Sequence, residues 1–138
     1  MKILVLHGPN MNLIGLQQIE QITLQKINSF IKKKLKINSL SAKIVQTNSQ
    51  SRAINILSQN RNKCSGIIIT PESWAYYGYG IRSTLEIIKI PYICINIKNT
   101  NQTVFNGALE NIYNKNILDS YNQAIQQLKT KIVYNSKK

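Results

Sequence analysis

Acidic residues are scarce in this chain of 138 residues: five Asp and Glu stand against 18 Lys and Arg, so the formal net charge is +13. Such an excess ordinarily favours nucleic acid or another polyanion as the partner. Only three of the basic residues are Arg, however, and Arg is the side chain that bidentate phosphate recognition favours. The Lys excess accompanies many Ile and Asn residues, a pattern typical of an AT-rich genome. We therefore do not expect nucleic acid to be the main partner.

Cysteine and long apolar runs are scarce as well. Cys64 and Cys94 are the two cysteines and no CxxC spacing joins them, so we expect two buried thiols in a reducing compartment and neither a disulfide framework nor a metal site. No apolar run approaches the roughly 18 residues of a membrane-spanning helix. The first apolar run meets Gly8 and Pro9 before it reaches the length of a secretion signal. We therefore expect a cytoplasmic protein without a membrane partner.

Two kinds of apolar pattern alternate along the chain. Short continuous apolar runs predict strands buried on both faces, whereas apolar residues spaced three and four apart predict helices. The predicted strands cover residues 3–6, 42–46, 66–70 and 92–97, with a weak fifth candidate at 109–113. The predicted helices cover residues 24–35 after Thr23 as N-cap, about 51–60, 81–88 and 117 to about 128, and we expect the tail beyond to be frayed.

The alternation of strands and helices predicts the fold class. It indicates an α/β protein with a doubly wound parallel sheet and helices on both faces, a three-layer α/β/α arrangement in a single domain over residues 1–138. Ligands of such sheets bind beyond the carboxyl ends of the strands. The segments that follow the first, third and fourth strands, 7–20, 70–80 and 96–106, therefore become the candidate site.

Four segments carry a resemblance to a known family. Residues 6–15 (LHGPNMNLIG) closely resemble the N-terminal signature of the type II 3-dehydroquinate dehydratases, in which the first strand ends in a Gly-Pro-Asn turn. Residues 47–49 resemble the end of the family's second strand, residues 66–71 its Gly-Ile-Ile-Ile-Asn-Pro segment, and residues 90–99 its Ile-Pro-Phe-Ile-Glu-Val-His-Ile-Ser-Asn segment. The match keeps the family's order and spacing to about residue 100 and fades thereafter.

The resemblance implies a flavodoxin-like domain that assembles as a trimer or dodecamer. It also implies a lyase of the shikimate pathway, which makes aromatic amino acid precursors: the family removes water from 3-dehydroquinate, a small anionic cyclic substrate, to form 3-dehydroshikimate, without a cofactor or a metal. The family's glycine-rich fifth strand is not recognisable here, so the sequence leaves the fifth strand open.

The loop after the first strand departs from the family's pattern. In the family this loop carries a Tyr that acts as the base and an Arg that ionises it, because a phenol with a pKa near 10 needs a close cation to lose its proton. Residues 15–24 contain neither Tyr nor Arg, and Gln17 stands where the Arg belongs. Residues 3–25 hold no Lys or Arg at all. The family's base and its activating cation are absent from this loop.

Other family positions are also replaced. The family's acid, a His after the third strand, aligns with Tyr76, and Thr70 replaces the Asn that holds an enolate-stabilising water. Asn96 replaces a second His near the substrate hydroxyls, and Lys98 replaces a Ser whose backbone N–H helps to bind the carboxylate. Asn10 alone is unchanged. The candidate catalytic residues are Asn10 and Tyr76, and the candidate substrate-binding residues are Asn96, Ile97, Lys98 and Arg82.

Three interpretations remain open. The chain is a dehydratase with rearranged groups, in which a Tyr of the 76–79 segment supplies the base and Arg82 or Lys98 binds the carboxylate; or it is a non-catalytic relative that serves as a binding or scaffold protein; or it is a basic binder of small ligands or nucleic acid. A polar pocket joining Asn10, Tyr76, Asn96 and Lys98 would favour the first, and a pocket filled by aromatics the second. The single histidine, His7, is expected to be structural.

Overall fold

A parallel sheet of the order β2-β1-β3-β4-β5 forms the centre of the computed structural model, which describes residues 1–17 and 21–137. Its strands are β1 (Lys2–His7), β2 (Ser41–Gln46), β3 (Gly66–Thr70), β4 (Tyr92–Ile95) and β5 (Asn111–Ile112). Its helices are α1 (Leu24–Ile37), α2 (Gln50–Asn60), α3 (Trp74–Tyr77), α4 (Tyr79–Ile88) and α5 (Ile117–Ser136), with a 3-10 helix at Met11–Leu16.

Apolar side chains cover both faces of this sheet. Along β1, Ile3 and Val5 point into one hydrophobic cluster, whereas Leu4 and Leu6 point into another. The first cluster includes residues of α1 and α5, and the second includes residues of α2 and α4. Helices therefore cover both faces of the sheet, and the strand order is that of flavodoxin-like doubly wound sheets. The predicted fold class is confirmed.

Side-chain caps mark the starts of three helices. The hydroxyl of Thr23 accepts from the backbone N–H of Lys26 at the start of α1, as the sequence predicts. The Ser49 hydroxyl accepts from Arg52 N–H at the start of α2, and the Asn116 side chain caps α5. Each cap satisfies a backbone donor that has no partner inside the helix. The chain therefore encodes these three starts locally.

The last helix differs from its prediction. Expected to end near Leu128 with a frayed tail, α5 instead continues to Ser136. The expectation of a frayed tail is wrong because Leu128 and Ile132 are both buried, and their methyl groups lie 3.3 and 3.4 Å from the point where a Cβ of Gly66 would stand. The absence of a side chain at the start of β3 lets this part of α5 pack against the strand. In the described ranges, no helix has both the length and the apolar character needed to cross a bilayer.

Three smaller expectations also change. The fourth strand ends at Ile95, so Asn96 and Ile97 belong to the loop that follows it. The fifth strand does form, over two residues only, and pairs in parallel with β4. Both thiols are free, but only Cys94 is buried. The expectation is wrong for Cys64, which is partly exposed because it lies in the turn before β3.

Candidate functional site

The turn after β1 is tied to the loops that follow β2 and β3. The backbone N–H of Gly8 donates to the carbonyl of Thr70 at 2.8 Å. A Cβ on Gly8 would stand 2.6 Å from the carbonyl oxygen of Pro71, so only glycine permits this approach. Asn10 has the left-handed conformation at φ 64°, and its N–H donates to the side-chain oxygen of Asn48 at 3.0 Å. The three loops therefore form one connected surface at the carboxyl edge of the sheet.

A cleft of about 200 Å³ opens on this edge, beyond β3 and β4. Its walls come from two of the segments that the sequence analysis selected, 70–80 and 96–106. The other selected segment is 7–20, and its residues 18–20 lie outside the described residues. The lining residues are Glu72, Ser73, Ala75 and Tyr76 on one side and Asn96, Ile97, Lys98 and Thr100 on the other. Four of the six candidate residues therefore share one cavity.

The remaining two candidates, Asn10 and Arg82, do not line this cleft. The Asn10 residue is exposed in the turn after β1. The guanidinium of Arg82 lies over the ring of Tyr79, 5.2 Å from its centroid, and Arg82 Nε lies 3.7 Å from Glu86 Oε1. The sequence analysis described a polar pocket that joins Asn10, Tyr76, Asn96 and Lys98. Three of these four residues, Tyr76, Asn96 and Lys98, line the cleft. Roles for Asn10 and Arg82 stay predictions.

The aromatic segment does not fill the cleft. Trp74 is buried in the second hydrophobic cluster and does not line the cleft, whereas Tyr76, Tyr77 and Tyr79 are 53, 51 and 57% exposed. The Tyr77 hydroxyl is engaged with the hydroxyl of Ser73 at 2.8 Å, and Tyr76 alone of the three tyrosines lines the cavity. The cleft therefore keeps space for a ligand, with one phenol at its rim.

An acidic residue, Glu72, also lines the cleft and is absent from the sequence-based candidates. Its backbone has a positive φ of 51°, and its side chain is partly buried. Burial raises the pKa of the Glu72 carboxyl, and the nearby charge of Lys98 lowers it in part. A signal was present in the sequence, because Glu72 is one of only five acidic residues and lies two positions after the predicted third strand.

A largely buried chain of hydrogen-bonding groups connects α1, β1, α5 and the end of β3. Asn28 Oδ1 is 2.8 Å from His7 Nε2, His7 Nδ1 is 3.5 Å from the Tyr121 hydroxyl, and this hydroxyl is 2.5 Å from Thr70 Oγ1. Burial lowers the pKa of His7 to about 4, although the bond to Asn28 opposes this shift. Burial raises the pKa of Tyr121, and the bond to Thr70 opposes it. With a pKa of about 4, the His7 ring is neutral at pH 7, and a structural role for it stays a prediction.

Metal-binding side chains do not cluster here. His7 is the one histidine of the chain, and its two ring nitrogens face Asn28 and Tyr121. Across residues 1–17 and 21–137, no three side chains of His, Cys, Asp or Glu lie together in a way that could hold a metal ion. The polar groups that remain at the cleft are hydroxyl, amide, carboxyl and ammonium groups.

The chain is similar to known proteins in sequence as well as in fold. A family model described as dehydroquinase class II matches residues 1–129. The chain is 34% identical over 101 residues to the 3-dehydroquinate dehydratase of Caldanaerobacter subterraneus subsp. tengcongensis, covering 71% of this chain and 68% of that protein. The type II dehydroquinase structure of Butyrivibrio crossotus superposes with a TM-score of 0.86 at 26% identity, covering 93% and 97% of the two chains. A 3-dehydroquinate dehydratase-like protein from Bifidobacterium longum shares the fold, with a TM-score of 0.76 at 16% identity over 96% and 98%.

Proposed function

Since this chain belongs to the class II dehydroquinase family, we propose that it binds 3-dehydroquinate, or a closely similar small cyclic carboxylate, in the cleft and dehydrates it slowly to 3-dehydroshikimate. The observation that carries the proposal is the cavity itself, which brings Tyr76, Asn96 and Lys98 together beyond β3 and β4. A cavity of about 200 Å³ is smaller than the roughly 300–1,000 Å³ typical for drug-sized ligands. A single substituted ring suits it better.

Each lining group has a chemical part in this proposal. Lys98 supplies a positive charge for the carboxylate of the substrate, and the backbone N–H groups of the 97–98 segment add hydrogen bonds to it. The amide of Asn96 donates to and accepts from ring hydroxyls. The phenol of Tyr76, at the rim, donates a hydrogen bond to the oxygen of the ketone, where negative charge develops when the neighbouring carbon loses its proton.

Slow turnover follows from the loop after β1. Residues 15–24 hold neither the Tyr nor the Arg on which the family's chemistry depends. A positioned acid or base typically contributes 10²–10⁴-fold to the rate. We therefore propose a turnover number well below that of relatives that keep both residues.

The test combines a rate with an affinity. Purified protein is mixed with 3-dehydroquinate, the conjugated enone of the product is followed by its ultraviolet absorption, and binding is measured by calorimetry. We expect a slow rate above that of the uncatalysed reaction. Lys98→Ala should weaken binding at least about tenfold, because a charged hydrogen bond contributes roughly 1.5–3 kcal/mol. Lys63→Ala is the matched control, since Lys63 lies in the turn before β3 at the opposite edge of the sheet. Absence of both binding and turnover would refute the proposal.

A non-catalytic binding or scaffold role is the second candidate. It is favoured by the exposed rings of Tyr77 and Tyr79, which stand outside the cleft on the same segment as Tyr76. Aromatic side chains that are half exposed in one place are common in protein interfaces. Binding of 3-dehydroquinate without any turnover would support this role over the enzymatic one.

We further propose that the protein acts in the cytoplasm as a homo-oligomer. Two free thiols, Cys64 and Cys94, fit a reducing compartment. The two-residue strand β5 forms the edge of the sheet, and a largely apolar hollow beside it is lined by Leu109 and Thr130, among others. Exposed sheet edges of this kind are natural places for a second chain to pair. Light scattering gives the mass in solution, and a monomer would contradict the assembly.

A further inference from the structure

We infer that Glu72 is the proton-transferring residue of the cleft: its carboxylate takes the proton next to the substrate ketone and returns it to the leaving hydroxyl. This inference rests on the proposed function and names a residue for a role that the family resemblance leaves without an occupant. Neither the Tyr base nor its Arg exists in residues 15–24, so another basic group must lie within reach of a ligand in the cleft. Glu72 is the carboxylate that lines it.

The backbone at Glu72 holds its side chain at the cleft. A positive φ is uncommon for residues other than glycine, and such strained residues cluster at functional sites. Glu72 has a φ of 51°, and the turn is held by hydrogen bonds from Trp74 N–H to the Pro71 carbonyl and from Ala75 N–H to the Glu72 carbonyl, both 3.0 Å long. The carboxylate is therefore positioned by a closed turn at the end of a buried strand.

The surroundings of Glu72 suit a base. The ionisable groups around it are Lys98 in the loop after β4, Tyr76 on α3 and Tyr121 on α5, with His7 behind Tyr121. Lys98 is the cation of this set, and it also faces the cleft. Burial makes the carboxylate harder to keep ionised, which raises the pKa of Glu72 and makes it a stronger base than an exposed carboxylate. The positive charge of Lys98 lowers the pKa of Glu72 and so opposes part of this effect.

The proposed proton transfer balances without a co-reactant. The ionised Glu72 forms an O–H bond to the proton on the carbon beside the ketone, and the electrons of the broken C–H bond form the enolate. The enolate restores the C=O bond and forms a C=C bond to the carbon that bears the hydroxyl, whose C–O bond breaks. The hydroxyl leaves with the proton from the Glu72 carboxylic acid as water. Glu72 is a carboxylate again at the end of the cycle.

The experiment uses Glu72→Gln in the full chain with Asp119→Asn as the matched control. Both changes replace a carboxylate by its amide, but Asp119 is exposed in the first turn of α5 and does not line the cleft. Two rates are followed with 3-dehydroquinate: formation of the enone, and exchange of the proton beside the ketone with deuterium from heavy water, read by NMR. Calorimetry gives the dissociation constant of each variant.

We expect Glu72→Gln to lower both rates at least about 100-fold, the low end for loss of a positioned base, while the dissociation constant stays within about threefold. Glu72→Asp should retain part of the rate, because it keeps a carboxylate at a shorter reach. The wild-type rate should rise with pH as Glu72 ionises, and this rise should be absent in Glu72→Gln. Glu72→Gly removes the carboxylate, and glycine adopts a positive φ without strain. If this variant loses the rate but keeps the thermal stability of the wild type, misfolding is excluded as the cause of the lost rate.

Different outcomes separate the inference from the proposed function. Wild-type turnover that Glu72→Gln leaves unchanged overturns the role of Glu72 and leaves the dehydratase proposal standing. Binding to the wild type without enone formation or deuterium exchange also overturns that role, because a base in place would exchange the proton. A wild type that neither binds nor reacts overturns both.

Discussion

The hydroxyls of Thr70 and Tyr121 lie 2.5 Å apart in the interior, although 51 positions separate the two residues in sequence. Thr70 ends β3 and Tyr121 belongs to the second turn of α5, so this bond joins the carboxyl end of β3 to the last helix. Both side chains are fully buried. The Thr70 hydroxyl therefore depends on that of Tyr121 for its hydrogen bond, and the Tyr121 hydroxyl also lies 3.5 Å from His7 Nδ1.

Replacing Tyr121 should reveal this dependence. Tyr121→Phe leaves the buried Thr70 hydroxyl without its partner, and we expect the free energy of unfolding to fall by about 1–3 kcal/mol. Thr70→Val should cost a similar amount. The double variant should cost clearly less than the two single costs added, because neither unpaired hydroxyl then remains. Urea unfolding of the four proteins measures this coupling, and additive costs would contradict it.

Protonation of His7 should make stability fall in weak acid. The pKa of His7 is about 4 in the folded chain against 6.5 for an ordinary histidine. Above pH 6.5, the ring is neutral in both states and the full stability is present. As the pH falls from 6.5 to 4, the unfolded state binds a proton that the folded state does not, so the free energy of unfolding decreases. At about 1.4 kcal/mol per pKa unit, the loss is about 3 kcal/mol.

A variant that cannot titrate at this position provides the control. His7→Asn keeps a polar side chain but removes the group that titrates. Unfolding measured between pH 4 and 7 should give a flatter profile for this variant than for the wild type. Equal slopes for the two proteins would mean that other groups, and not His7, determine the acid sensitivity.

A side chain at Gly8 should push apart two loops of the site edge. Gly8→Ala would place a Cβ 2.6 Å from the Pro71 carbonyl oxygen and 2.8 Å from that of Thr70. We expect a loss of about 1–3 kcal/mol in the free energy of unfolding, typical of overpacking, together with weaker ligand binding. Gly80→Ala is the control, because its new Cβ meets only the flexible end of Ile54, at 3.1 Å, and alanine favours a helix. A smaller loss from Gly8→Ala than from Gly80→Ala would contradict the crowding.

Removal of the Tyr76 hydroxyl should slow the reaction without changing the fold. Tyr76 lines the cleft and is 53% exposed, so Tyr76→Phe should leave the melting temperature nearly unchanged while turnover falls at least about tenfold. Tyr77→Phe is the matched comparison, because Tyr77 is 51% exposed but does not itself line the cleft, and its hydroxyl bonds to that of Ser73. Equal rates for wild type and Tyr76→Phe would remove Tyr76 from the catalytic groups.

Local patterns in the sequence predicted most of the secondary structure. The run of residues 66–70 became β3 at the expected bounds, and Thr23 caps α1 as expected, because burial on two faces and an N-cap hydroxyl each leave a signature within a few residues. The weak candidate at 109–113 became a strand of only two residues, Asn111–Ile112. Its short length depends on pairing with β4, which no local pattern records.

The sequence also predicted part of the candidate site. The segments beyond β3 and β4 were identified from the rule that ligands bind at the carboxyl ends of strands, and Tyr76, Asn96, Ile97 and Lys98 were then found in one cleft. Glu72 was missed because its significance comes from facing Lys98, which is carried by another loop.

The sequence by itself determined the alternation of strands and helices, the family and the absence of Tyr and Arg from residues 15–24. Tertiary structure alone decided the extension of α5 past Leu128, the bond between Thr70 and Tyr121, and the presence of Glu72 beside Lys98 in the cleft. The physical reason is the distance along the chain over which each interaction acts. Periodicity and capping act between residues a few positions apart, whereas burial, hydrogen-bond partnership and the electrostatic surroundings of a carboxyl group depend on which distant segments the folded chain brings into contact.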